Sequence, residues 1–234
     1  MALPVLNTLP KYEVNIPSMA KNVKFRPYLV KEEKVLLLAM ESKDPQQILQ
    51  SIYDTVVACI TDEFDSKKLT TFDLEYLFLK IRSKSVGERA PLVFTCKSCE
   101  HQNEVTFEID DVEIKVDSKP GAKIKLTDEI ALKMKWPTYQ EMIRDATSES
   151  QTDMAFSMIA KCIEAIQTEE ENFIIKDQPA EEILAFLESL TADQYKMLTE
   201  YVEAMPQLKH EVEFDCQKCG EHNNYNLQGI NDFF

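Results

Sequence analysis

Two matched cysteine pairs, Cys96-Lys-Ser-Cys99 and Cys216-Gln-Lys-Cys219, are the residues of this chain whose types and spacing suit chemistry best. Each pair follows a short apolar run and precedes a polar turn. The first stretch reads Val93-Phe-Thr-Cys96-Lys-Ser-Cys99-Glu-His-Gln-Asn, the second Val212-Glu-Phe-Asp-Cys216-Gln-Lys-Cys219-Gly-Glu-His-Asn. Thiolates two residues apart on a tight turn grip one ion together, and two such knuckles complete a tetrahedral site. The expected metal is Zn²⁺, held by Cys96, Cys99, Cys216 and Cys219. Four thiolates fill every coordination position and leave none for a catalytic water, so the zinc is expected to be structural. His101 and His222 lie just beyond the knuckles, where each is a candidate to replace a thiolate, a second donor or a surface residue. A redox Cys-x-x-Cys sits between a strand and a helix of a βαβ unit, and neither motif here does.

The elements around the knuckles read as an α+β chain. Residues 1–30 form an extended arm: Pro4, Pro10, Pro17 and Pro27 disfavour helix, yet the segment is too apolar for a solvated linker. It either folds back over its own core or lies on a neighbouring subunit. A helical domain over 31–90 follows, with helices at 31–42, from Asp44-Pro45 to about 61, and after Thr70-x-x-Asp73, which resembles a capping box. The first carries Val35, Leu36, Leu38 and Ala39 on one face. The third shows Leu74, Leu77, Phe78 and Ile81 at i, i+3, i+4, i+7 spacing. Cys59 on the second helix's apolar stripe reads as core. From residue 91 the period changes to two, giving strands around 105–109, 112–116, 124–126 and 129–136, with Lys119-Pro-Gly121 as a turn. Trp136 closes the last of these as a core or interface residue. Helices resume at 138–146, 151–167, 180–190 and 192–204, and strands at 211–215 and 223–228. The expected architecture for 91–234 is a zinc-ribbon-like β module, built from 91–136 and 207–234 and interrupted by a helical insertion over 137–206.

Composition bounds the function. The chain has 234 residues, 44% of them hydrophobic, enough to bury a sizeable core. Its net charge is −15 and unevenly placed: residues 1–95 carry 13 Lys and Arg against 12 Asp and Glu, residues 96–234 carry 13 against 29. A nucleic-acid ribbon needs basic residues around its knuckles, but the neighbours here are Glu100, Glu104, Glu108, Asp215 and Glu221. No nucleic acid is therefore expected as partner, and four glycines supply no phosphate-cradling loop. No apolar run is long enough for a bilayer span and no signal peptide is legible, so no membrane and a reducing, cytoplasmic setting are expected. His210 has no serine elbow or triad order around it, and the acidic clusters read as solvated surface. No catalytic residue is expected, and a homo-oligomer remains open.

The segment Val23-Lys-Phe-Arg-Pro-Tyr-Leu-Val-Lys-Glu-Glu-Lys-Val-Leu-Leu-Leu-Ala-Met-Glu-Ser42 is highly particular, as is Asp73-Leu-Glu-Tyr-Leu-Phe-Leu-Lys-Ile-Arg-Ser-Lys-Ser-Val-Gly-Glu88. With the opening Leu9-Pro-Lys-Tyr-Glu-Val-Asn-Ile-Pro-Ser18 and the ending Leu227-x-Gly-x-x-x-Phe-Phe234, the chain resembles the baseplate hub and hub assembly proteins of T-even-type contractile-tailed phages. The resemblance covers nearly the whole chain. It implies a structural or assembly role in the tail baseplate, other hub and tail proteins as partners, no catalysis, and a place in the virion or in the host cytoplasm during assembly. The expected partner contacts are the arm, including Tyr12, Ile16, Phe25, Arg26 and Pro27, and the tail Phe233-Phe234, because apolar residues at chain ends are otherwise unusual. The competing reading is a zinc-ribbon regulator that binds a polymerase or another cytosolic partner; a metalloenzyme needs an open metal position.

Overall fold

Residues 12–25 do not run as a bare arm. In the computed structural model, which describes residues 9–112, 114, 121–144 and 151–233, they form a hairpin of β1 (Tyr12–Ile16) and β2 (Lys21–Phe25), paired antiparallel with Val14 opposite Val23. Alternation puts Val14, Ile16, Val23 and Phe25 on one face, and all four are buried, Ile16 completely. The turn is pinned from elsewhere: Ser18 donates its backbone N–H (2.8 Å) and its hydroxyl (2.5 Å) to the carboxylate of Asp73. Prolines keep this segment out of helix, and its apolar alternation then selects a strand pair.

Helix α1 (Val30–Ser42) ends in a left-handed Lys43, and α2 (Pro45–Cys59) starts on Asp44, whose side chain accepts the Gln46 N–H at 2.9 Å. The expected inner face of α1 is corrected in part. Leu36 and Ala39 are buried, but Val35 and Leu38 stand 49% and 55% exposed, as does Leu37 outside that face at 55%. Helix α3 (Thr71–Ser85) buries Leu74, Leu77, Phe78 and Ile81 as their spacing predicts. Strands β3 (Arg89–Thr95) and β4 (Gln102–Glu108) then pair across the first knuckle.

A four-stranded antiparallel sheet follows, ordered β5 (Lys123–Lys125), β6 (Ala131–Met134), β7 (Ile163–Gln167), β8 (Asn172–Ile174). With it come α4 (Tyr139–Arg144), α5 (Gln151–Cys162), α6 (Ala180–Glu188) and α7 (Ala192–Glu203), the last opened by a capping box between Thr191 and Gln194. The helix expected over 151–167 stops at Cys162. Its last five residues, Ile-Glu-Ala-Ile-Gln, alternate and pair with β6, so cross-strand burial overrides continuation of the helix. Trp136 is buried here, as are Leu132, Met134, Cys162 and Ile163.

The chain closes with β9 (Lys209–Asp215) and β10 (His222–Gln228), paired across the second knuckle. Its fold is α+β. Two compact units emerge, one drawn from Met1–Ser66, Phe72–Ile114 and Gln207–Phe234, the other from Lys67–Thr71 and Lys115–Pro206. The hairpin, α1 to α3 and both cysteine knuckles thus share one unit, where a boundary at residue 90 was expected. In that unit Leu79, Phe94, Phe107, Ile109, Val112, Leu208, Val212 and Leu227 form a common core, so the third helix and both knuckle hairpins pack on the same apolar cluster. Among the described residues no helix is long and apolar enough to cross a membrane.

Candidate metal centre

Strands β3 and β4 exist to present a turn. Cys96 donates its backbone N–H to His101 O at 2.8 Å, and Glu100 donates to Cys96 O at 3.0 Å, which closes residues 96–101 into a knuckle. The second hairpin repeats these bonds, Cys216 N–H to Glu221 O at 2.8 Å and Gly220 N–H to Cys216 O at 2.8 Å. Both turns pass through left-handed backbone at the same step, Glu100 at φ 59° and Gly220 at φ 73°. Behind the turns the hairpins are joined by aromatic packing: the Phe94 ring lies 5.7 Å from Phe214 and 5.1 Å from Tyr225, and Tyr225 donates its hydroxyl to Thr95 O.

The result is one cluster of four sulfurs from sequence-distant turns. All lie within 4.8 Å of one another; Cys96 Sγ is 3.7 Å from Cys219 Sγ, and Cys99 Sγ is 3.7 Å from Cys216 Sγ. Backbone N–H groups point into it, from Ser98 to Cys96 Sγ and from Lys218 to Cys216 Sγ, each at 3.4 Å. Such donors favour thiolate over thiol. The N–H groups of Cys99 and Ser98 hold the Cys96 pKa below its ordinary value. At Cys216 burial opposes the charge, yet the N–H groups of Cys219 and Lys218, with the Cys219 and Cys99 thiols, bring the pKa down to about 6. Sulfurs this close are poor neighbours for one another as anions unless a cation sits among them, and four of them suit a soft divalent ion.

The histidines stand apart from this cluster. His222 Nδ1 meets Asp215 Oδ1 at 2.9 Å on the surface, and that carboxylate raises the imidazole pKa. His101 contributes its backbone carbonyl to the knuckle. The two residues do not occupy equivalent steps: His101 matches Glu221, two positions after the second cysteine, whereas His222 is three after. The residues at equivalent steps are Asn103 and Asn223, each four after a knuckle's second cysteine and each 1% exposed. Their shared spacing stands in the sequence, but spacing alone does not show what a side chain faces across the site. Cys59 and Cys162 are core residues whose thiols burial pushes up to about 11 and about 12.

The residues expected to touch partners are placed differently from one another. Ile16 and Phe25 are buried in the hairpin face, so neither side chain is available to a neighbour in this conformation. Tyr12 is half-buried with its ring 5.7 Å from Phe25. Arg26 pairs with Glu32 at 2.9 Å and donates to the carbonyls of Pro27 (2.9 Å) and Ala58 (3.1 Å), so it ties β2 to α1 and α2. Pro27 is half-buried. Phe234 and the side chain of Phe233 lie outside the described residues.

No curated protein and no solved structure matches this chain. A family model does, over residues 9–234, under the description T4 bacteriophage base plate protein. The match takes in the hairpin, both knuckles and everything between them, and bears out the family resemblance carried by the segments 23–42 and 73–88. The chain belongs to the family of T4 bacteriophage base plate proteins.

Proposed function

We propose that this chain is a structural or assembly component of the phage tail baseplate hub, which works through protein–protein interfaces and is clamped by one structural Zn²⁺ on Cys96, Cys99, Cys216 and Cys219. The carrying observation is the four-sulfur cluster, within 4.8 Å, in a chain of the baseplate family. Zinc on four thiolates has no open position for substrate or activated water, so its role is to hold. What it holds is residue 96 to residue 219, and its binding free energy, roughly 10 kcal/mol or more by comparison with zinc-finger peptides, adds to folding. Residues 12–25 serve the chain's own core in this reading. Partner contact moves to the tail and to exposed apolar side chains such as Leu37 and Leu38 on α1.

Quantitative mass spectrometry of purified mature particles and of tail-assembly intermediates from one lysate tests the role. Stoichiometric presence in both is expected of a permanent hub part, and presence in intermediates alone is expected of an assembly factor. Absence from both sinks the hub reading and favours a zinc-ribbon regulator.

A further inference from the structure

The two buried asparagines are wired across the site rather than within their own turns. Asn223, on β10, accepts the backbone N–H of Lys97 at 2.9 Å through Oδ1 and sends Nδ2 to Cys96 Sγ at 3.6 Å. Asn103, on β4, accepts the N–H of Gln217 at 2.9 Å and sends Nδ2 to Cys216 Sγ at 3.7 Å. The other Nδ2 hydrogen of each reaches its own turn, Asn103 to His101 O at 2.9 Å and Asn223 to Glu221 O at 2.8 Å. Each amide therefore uses both donors and an acceptor lone pair, and the backbone N–H on Oδ1 fixes which end is oxygen. Contacts of 3.6–3.7 Å are long for oxygen acceptors but suit the larger sulfur.

We infer that Asn103 and Asn223 are crossed positioning residues of the metal centre, each aiming the first cysteine of the opposite knuckle and offsetting part of its charge: Asn223 serves Cys96, and Asn103 serves Cys216. The inference rests on the metal reading of the four cysteines. Three features carry it. The two asparagines sit at identical steps of the repeat; both are buried at 1% exposure; and their partners form the same set in exchanged order. Chemistry explains the residue type. A four-thiolate zinc centre carries two net negative charges, and N–H···S donors offset them. Aspartate has nearly the same shape and keeps the acceptor for Lys97 or Gln217, but it puts a carboxylate against a thiolate and a carbonyl. A leucine of similar size would take away that backbone N–H's acceptor and offer the sulfur no donor.

The test is made on the full chain with Asn103→Asp and Asn223→Asp. Zinc affinity is measured by competition with a chelator, and amide exchange by residue-resolved hydrogen exchange. Each variant is expected to lose roughly 10- to 100-fold in zinc affinity, the usual cost of removing an outer donor to a metal ligand. The exchange pattern is expected to cross: Asn223→Asp speeds exchange near Cys96 and Ser98, Asn103→Asp near Cys216 and Lys218. Unchanged exchange at Leu132 certifies that the separate four-stranded sheet remains folded. Zinc affinities like wild type in both variants, or exchange that rises only in the variant's own turn, overturn the inference and leave the zinc reading intact. A wild-type chain that holds no zinc overturns both. Should either aspartate variant fail to fold, Asn103→Ser and Asn223→Ser carry the same crossed readout.

Discussion

Glu100 and Gly220 occupy the same step of the two knuckles, at φ 59° and 73°. For a side-chain-bearing residue that backbone region costs roughly 1 kcal/mol. Glu100→Gly is therefore expected to stabilise the protein by about 1 kcal/mol, and Gly220→Ala to destabilise it by a similar amount, both by thermal denaturation with zinc held in excess. A second residue-scale prediction concerns Glu75 on α3. Burial raises its carboxyl pKa to about 7, although the Ile230 N–H opposes the rise. The folded chain then binds this proton more tightly than the unfolded one. The associated stability is full below the ordinary carboxylate range and is lost as pH rises through about 7. Glu75→Gln, which keeps an acceptor for Ile230, should gain about 2–3 kcal/mol over wild type at pH 8 and nothing at pH 4. Denaturant titration at the two pH values checks it. At this scale the sequence exposed the cysteines through their spacing. It did not expose the asparagines, because their role depends on which turn they face across the site, and a single-turn motif carries no record of that.

Elements were legible where periodicity was long and lost where tertiary pairing decides. The i, i+3, i+4, i+7 pattern of α3 and the alternation on both sides of each knuckle predict what is found. The segment 163–167 reads as a helix continuing α5 until β6 pairs with it. The three residues of β8 hide behind the charge run 169–171. The N-terminal hairpin is the instructive case: prolines and apolar residues are compatible with an arm on a neighbour or a flap on the chain's own core. Complete burial of Ile16, with Asp73 gripping Ser18, favours the core. Phe25→Ala is accordingly expected to cost about 3–5 kcal/mol by leaving a cavity beneath the hairpin, measured by chemical denaturation. A chain beginning at Arg26 should lose the cooperative transition of that unit; a truncated chain that melts like the intact one would return the hairpin to the role of a docking arm.

For the whole molecule, membership of the baseplate family and a surface rich in acid point to a part that works by fitting other proteins. Leu37 and Leu38, more than half exposed on α1, are chosen for the interface prediction because their substitution empties no core. The double variant Leu37→Asp, Leu38→Asp should melt within about 1 kcal/mol of wild type. Its recovery in tail-assembly intermediates, counted by mass spectrometry, should fall at least tenfold. The claim on which this account stands is that one metal joins the two distant knuckles. Zinc-edge X-ray absorption on the full chain, purified without added metal, addresses it most directly. The expected result is one zinc per chain with four sulfur neighbours at about 2.3 Å. A chain without zinc, or a first shell containing nitrogen or oxygen, would contradict it.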